Sequence, residues 1–293
     1  MLVEKITSRQ NPLVKRFRRV RAGSERPHVF LEGTRLIEDA VATGARFDCV
    51  VFTAELSASE RGSAVLDLLR GVQCRGALVS RQVMEAIADT RSPQGIAAIV
   101  SRPFFELDNL FALSPDFLVI ADELQDPGNL GTMIRTAEAA GASGLITTRY
   151  TVDAFSDKAI RGSMGSALRL PIVTDSSRED VIARCRAHNF KIIASAPVSV
   201  HPTAVIEDAA AKPRHSAYTR IDLTGPIAII FGREGSGIPS PSFKEADELV
   251  HIPMAEGVES LNVAAAAAIL LYEVARQRGF EFKRSVDSTE KDR

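Results

Sequence analysis

The chain has 293 residues, 45% hydrophobic and 25% charged, the profile of a globular protein long enough for two ordinary domains. No apolar run approaches the roughly 20 residues that cross a bilayer, and the start MLVEKITSRQ has no apolar stretch behind its charges. A cytoplasmic location is therefore expected, with no membrane partner. The three cysteines and five histidines are scattered without CxxC or Cys/His spacing, which argues against a metal site.

The formal net charge of -1 hides an asymmetry. Residues 1–35 carry nine basic side chains (Lys5, Arg9, Lys15, Arg16, Arg18, Arg19, Arg21, Arg26 and Arg35) against three acids, Glu4, Glu25 and Glu32. Clustering of this kind fits phosphate contacts to RNA or DNA as well as a solvated helix face.

In chain order, a first α/β unit occupies about residues 27–102. HVFLEG, DCVVFT, GALVS and GIAAIV read as strands, separated by helical stretches such as TRLIEDAVATG and SAVLDLLRG. The alternation breaks at SRPFFELDNLFALSP, between Pro103 and Pro115. Residues 104–115 are expected to link a domain of residues 1–103 to one of residues 116–280, with 281–293 as a frayed tail. The second unit has strands FLVIADEL, SGLITT, KIIASAP, PIAIIFG and ELVHIPM, and helices LGTMIRTAEAAG, REDVIARCRAHN and VAAAAAILLYEVARQR. Apolar strands interleaved with helices predict a mostly parallel sheet covered on both faces. Val263 to Leu271 runs nine residues without a polar group, so that helix is expected to be buried on more than one side.

Parallel sheets bind ligands beyond the carboxyl ends of their strands, and three loops there are unusual. In ADELQDPGNLGTMIRTAEAAG, Pro127 and Gly128 make a turn, Asn129 stands at a helix start and Arg135 lies about two turns in. IIFGREGSGIP spaces its glycines G-x-x-G-x-G, at Gly232, Gly235 and Gly237, which matches neither a dinucleotide fingerprint nor a phosphate loop. HIPMAEGVESLN leads into the alanine-rich helix, with Ser260 and Asn262 at its start. Taken singly, each loop also reads as ordinary turn chemistry.

Together, in this order and on strand ends, DPGNLGTMIRTAEAAG, FGREGSGIP and IPMAEGVESLNVAAAAAILLYE resemble the three motifs of the SpoU/TrmH family of RNA ribose 2′-O-methyltransferases, within the SPOUT superfamily. The resemblance covers residues 116–280, and RGSMGSALRLPIV is similar to the family's serine- and glycine-containing segment before its next strand. ITSRQNPLVK followed by FLEGTRLIEDAVATG is similar to the small RNA-binding α/β domain that precedes many such enzymes.

The resemblance implies an α/β fold whose C-terminal parallel-sheet domain carries a deep trefoil knot, a homodimer packed through the knot region, and S-adenosylmethionine as cofactor. It implies cofactor contacts from Ser195 and Ala196, from Phe231, Gly232, Glu234 and Gly237, from Ile252 and Met254, and from Ser260 and Leu261. Asn129, Arg135, Glu234, Ser260 and Asn262 match the motif positions that serve catalysis. No metal is implied, since a sulfonium already activates the methyl. RNA contacts are expected from Arg9, Lys15, Arg16, Arg18, Arg19 and Arg35, with Arg135 at the reacting ribose. An arginine is always protonated, which favours an electrostatic role for Arg135 over that of a base.

Residues 198–224 form a longer connection than the family's usual one. Ribosomal RNA is favoured over transfer RNA by the separate N-terminal domain. A catalytically silent RNA-binding protein would be free to lose the five motif polar groups, all of which are present. A nicotinamide-dependent oxidoreductase would need a glycine fingerprint after its first strand. A base methylase of the same superfamily is the nearest rival, against which the SLN of the third motif and the arginine of the first point to ribose.

Overall fold

The computed structural model describes residues 3–90, 92–197, 214–233 and 245–281. By compactness the chain forms two units, one of residues 1–103 with 155–168, the other of residues 104–154 with 169–293.

The first unit is built on a five-stranded sheet of β1 (Val3–Ile6), β2 (His28–Glu32), β3 (Phe47–Phe52), β4 (Arg75–Val79) and β5 (Ile96–Ser101), in the order β1-β4-β3-β5-β2. β1, β4 and β3 run parallel, whereas β5 is antiparallel to both neighbours. Five helices belong to its N-terminal part: α1 (Pro12–Arg21), α2 (Thr34–Ala42), α3 (Ala54–Ser57), α4 (Glu60–Arg70) and α5 (Arg81–Ile87). α1 starts where a proline at its first position needs no hydrogen bond and the Asn11 side chain accepts from Leu13 N at 2.8 Å. Its apolar residues Val14, Phe17 and Val20 recur at helical spacing and are buried with Phe30, Val51, Val79 and Met84, leaving Lys15, Arg18 and Arg19 outside. Burying each such side chain contributes ~1.5–3 kcal/mol.

The second unit has seven parallel strands, β6 (Phe117–Ala121), β7 (Gly144–Thr148), β8 (Ile172–Ser176), β9 (Lys191–Ser195), β10 (Arg214–Ala217), β11 (Ile227–Phe231) and β12 (Glu248–His251), in the order β10-β12-β9-β11-β6-β7-β8. The segment read as a linker holds α6 (Leu107–Ala112), because Leu107, Leu110 and Phe111 stand at helical spacing; the last two are buried with Leu118, Ile120 and Ile192. α7 (Pro127–Ala139) follows β6, and α10 (Arg178–Ala187) follows β8. The short helices α8 (Asp157–Ser163) and α9 (Ser166–Arg169) lie between β7 and β8 in sequence, α8 packing on β2 within the first unit. Phe117, Val119, Ile193 and Ile229, at alternate positions to the Leu118 set, are buried too, as a sheet covered on both faces requires.

The alanine-rich helix is α11 (Val263–Gln277), packed against α7. Ala264, Ala267, Leu270, Leu271 and Val274 are buried, but Ala265 and Tyr272 are exposed and Ala268 and Ile269 only half-buried. A single chain thus buries one side of this helix and leaves an apolar stripe at positions i, i+3, i+4 and i+7. No helix among the described residues is long and apolar enough to cross a membrane.

Candidate active site

The site grows from the carboxyl ends of four adjacent strands, β12, β9, β11 and β6. Their register pairs Val250 with Ser195, Ile230 with Ala194 and Phe231 with Ala121, so the chain leaves all four at one edge of the sheet. Two helix starts converge beyond that edge. Asp126 caps α7, its Oδ1 accepting from Asn129 N at 2.8 Å, and Pro127 follows at the first helical position. Asn262 caps α11, its Oδ1 accepting from Ala264 N at 2.9 Å and Ala265 N at 3.3 Å. The remaining amide of Asn262 donates to Asn129 Oδ1 at 3.0 Å, which joins the first and third motifs. Asn262 therefore serves its own helix start and Asn129 at once, while Asn129 is fixed through its backbone by the Asp126 cap.

Arg135 is exposed on α7, one turn beyond Thr132, whose hydroxyl turns back to Gly128 O. Ser260 and Leu261 are exposed ahead of the Asn262 cap. Ser195, Ile252 and Met254 are half-buried, while Ala196, Phe231 and Gly232 are buried, and Ala196 N donates to Val250 O at 2.9 Å. Glu234 and Gly237 lie outside the described residues, as do positions 198–213 of the long connection and 282–293 of the tail. The described end of the long connection is held by α11 and the turn after it, where Gln277 accepts from Leu223 N and donates to Ile221 O, and Arg278 donates to the carbonyls of Leu223, Gly225 and Asp116.

The six basic residues read as RNA contacts belong to the first unit, whereas the methylase-like motifs belong to the second. Lys15, Arg18 and Arg19 are exposed on α1 and Arg35 on α2; Arg9 reaches the Gln82 carbonyl at 3.2 Å. Arg16 differs from these. It is half-buried, donates to Glu25 at 2.9 Å and pairs with Asp48, so its charge is engaged within the fold.

An ion-pair network beside the motifs escaped the sequence reading. Asp122, fully buried at the end of β6, accepts two hydrogen bonds from Arg178 at 2.9 and 3.0 Å and one from Thr148 Oγ1 at 2.7 Å. Glu123 bridges Arg178 at 3.0 Å to Arg233 at 2.7 Å. Burial pulls the Arg178 guanidinium down, but the bonds and charge of Asp122 and Glu123 outweigh it and hold its pKa above the ordinary value. Two consecutive acids closing the buried strand in VIADEL were the available signal; their partners stand 56 and 110 positions away in sequence.

Two family models match the chain. The substrate-binding domain named MRM3-like spans residues 4–98. The SpoU rRNA Methylase family spans residues 116–272, more than half of the chain. The chain belongs to the SpoU rRNA Methylase family. Among curated members it is 34% identical over 282 residues to an uncharacterized tRNA/rRNA methyltransferase of Synechocystis, covering 94% of this chain and 95% of that one. It is 30% identical to the 23S rRNA (guanosine(2553)-2′-O)-methyltransferase RlmP of Bacillus subtilis, covering 93% and 99%. Among solved structures, the AdoMet-bound rRNA methyltransferase of Sinorhizobium meliloti aligns with TM-score 0.78 and 30% identity over 94% of this chain and 98% of that one. The SpoU methyltransferase AviRb of Streptomyces viridochromogenes, in complex with AdoMet, aligns with TM-score 0.76 and 26% identity over 92% and 100%. These neighbours confirm the expected SpoU-type α/β fold with a parallel-sheet C-terminal domain and an N-terminal domain ahead of it.

Proposed function

We propose that this protein transfers a methyl group from S-adenosylmethionine to a ribose 2′-hydroxyl of ribosomal RNA, in the cytoplasm, as a homodimer. The observation that carries this reading is the Asn262 to Asn129 hydrogen bond, which joins two family motifs 133 residues apart beyond the strand ends. The relatives named above, the 23S rRNA 2′-O-methyltransferase RlmP among them, support the reaction class and the ribosomal preference.

The residues at the strand ends fit the cofactor. Ala196 and Gly232 carry little or no side chain, which lets a flat heterocycle lie close against the backbone after β9 and β11, with Ser195, Ile252 and Met254 half-buried there. Exposed Leu261 adds apolar surface, and Phe231 backs the site from the core. When bound, S-adenosylmethionine supplies a methyl already activated by its sulfonium, so no metal is needed. The chain's task lies on the other side of the reaction. A ribose hydroxyl is a weak nucleophile at neutral pH, and negative charge develops on its oxygen as the new bond forms. Arg135 meets that charge with its guanidinium and binds the neighbouring phosphate, while Asn129, braced by Asn262, orients the sugar. Ser260 and Glu234 complete the set.

The apolar stripe of Ala265, Ala268, Ile269 and Tyr272 supports the homodimer, since the two alanines permit close helix approach and Ile269 and Tyr272 supply apolar area to bury. The trefoil knot and the division of labour between residues 1–103 and 116–280 belong to the same proposal.

Incubation of the full chain with protein-free ribosomal RNA and methyl-labelled S-adenosylmethionine tests it. Digestion to nucleosides should place the label in a 2′-O-methylnucleoside. Label in a base, or none, would overturn the proposal.

A further inference from the structure

Glu123 and Tyr150 are among the residues other than glycine that take left-handed backbone conformations, and both stand at the carboxyl ends of strands. Glu123 has φ 58° in the turn after β6, and Tyr150 has φ 68° in the turn after β7. A bulky side chain rarely stays in that region unless its surroundings fix it. Here they do. The Gln125 amide donates to the carbonyl oxygens of both residues, at 2.9 Å to Glu123 and 2.7 Å to Tyr150. Arg149 N donates to Ser176 O at 2.9 Å, Thr151 Oγ1 to Ala121 O at 3.1 Å, and Val152 N to Leu124 O at 2.8 Å. The backbone is thus pinned on both sides of Tyr150, yet its side chain is 78% exposed.

A single exposed aromatic is ordinary. The bracing and the position of this one are not. The ring adds nothing to the core, and the strained turn that presents it is tied to the loop that reaches Asn129 four residues after Gln125. Arg149, the preceding residue, is exposed as well.

We propose that Tyr150 is a stacking platform for an unpaired base of the substrate RNA, next to the nucleotide whose ribose is methylated, with Arg149 on an adjacent phosphate. The inference rests on the methyltransferase reading above. Unpaired RNA bases are recognised by stacking on aromatic rings, and stacking tolerates any base because each has a flat face. Tyr150 therefore contributes affinity and alignment, and leaves the choice of base to other groups.

The test uses the full-length chain, saturating S-adenosylmethionine and an in vitro transcribed 23S rRNA, with filter binding over a salt series. Tyr150→Leu keeps a large side chain but no flat face, and should bind the transcript about 10-fold more weakly at every salt concentration. Tyr150→Phe should bind like the parent. Arg149→Gln should instead reduce the salt slope by about one. Cofactor affinity and melting temperature should be unchanged in all three. Equal RNA affinity of Tyr150→Leu and the parent overturns the inference, as does a loss that tracks a fall in cofactor affinity or melting temperature. If the parent itself neither binds nor methylates the transcript, the methyltransferase reading fails, and the role of Tyr150 with it.

Discussion

The side-chain amide of Asn262 donates to Asn129 Oδ1 at 3.0 Å while the other end of the same group caps α11. Capping and bridging can be separated. Asn262→Ser retains an oxygen suited to the cap but loses the amide, whereas Asn262→Ala loses both. The serine variant should melt near the parent temperature, and the alanine variant should lose about 1 kcal/mol of stability. Methyl transfer should fall in both. Full activity of Asn262→Ser would remove the bridge from the catalytic account.

The Asp122, Glu123, Arg178 and Arg233 network holds the residue that leads from β11 into the glycine-bearing loop. Arg233 is half-exposed, so replacing it by alanine should cost at most about 1 kcal/mol, Glu123 still being paired with Arg178. Calorimetry should nevertheless give S-adenosylmethionine binding about 10-fold weaker, because the loop start is released. Asp122→Ala takes the main partner from the partly buried Arg178 guanidinium, leaving it Glu123 alone, and should lower the melting temperature instead, by the equivalent of ~1–3 kcal/mol. Unaltered cofactor affinity in Arg233→Ala would restrict the network to folding.

These relationships mark how far the sequence alone could be read. The interior strands β6, β7, β9 and β11 are buried on both faces and stand out as apolar runs, and both caps sit beside their helices. β1 and β10 are edge strands of four residues, VEKI and RHSA, and their polar composition carries no apolar alternation to find. α6 hides between two prolines because only three of its residues face the core. Ion pairs such as Arg16 with Asp48 depend on which distant elements meet, and nothing local in the sequence encodes that. Asn129 and Asn262 were legible as helix-start residues, and their mutual hydrogen bond was not.

The basic face of α1 separates by the same logic. Lys15, Arg18 and Arg19 are exposed, whereas Arg16 is tied to Glu25 and Asp48. Replacing the first three together by glutamine should leave the melting temperature unchanged and lower the salt slope of RNA binding by about two to three. Arg16→Gln should do the reverse, since it takes the guanidinium from Asp48 and the nearest cation from Glu25, which Arg19 approaches only to 3.9 Å. An unchanged slope in the triple variant would move RNA recognition away from this helix.

The two units carry separate chemical reporters. Burial pushes the Cys49 thiol, in the first core, and the Cys185 thiol, in the second, up to about 12. A folded-state value above the unfolded one favours the folded state below pH ~9, and that contribution is lost as the pH rises from there towards 12. Both thiols should resist alkylation at pH 8 until their unit opens, while the less buried Cys74 reacts first. Peptide mapping after a brief pulse along a urea series would read the opening of each unit separately. Labelling of Cys185 in the native protein as fast as Cys74 would contradict its place in the core.

Arg135 stands closest to the central claim, because its guanidinium is assigned to the charge on the reacting oxygen. The most direct measurement maps ribose methylation across ribosomal RNA from cells with the gene, without it, and with Arg135→Ala in its place. One 2′-O-methyl mark should vanish on deletion, return with the parent gene and stay absent with Arg135→Ala, although the variant binds S-adenosylmethionine normally. An unchanged set of ribose marks after deletion, or full restoration by Arg135→Ala, would contradict the assignment.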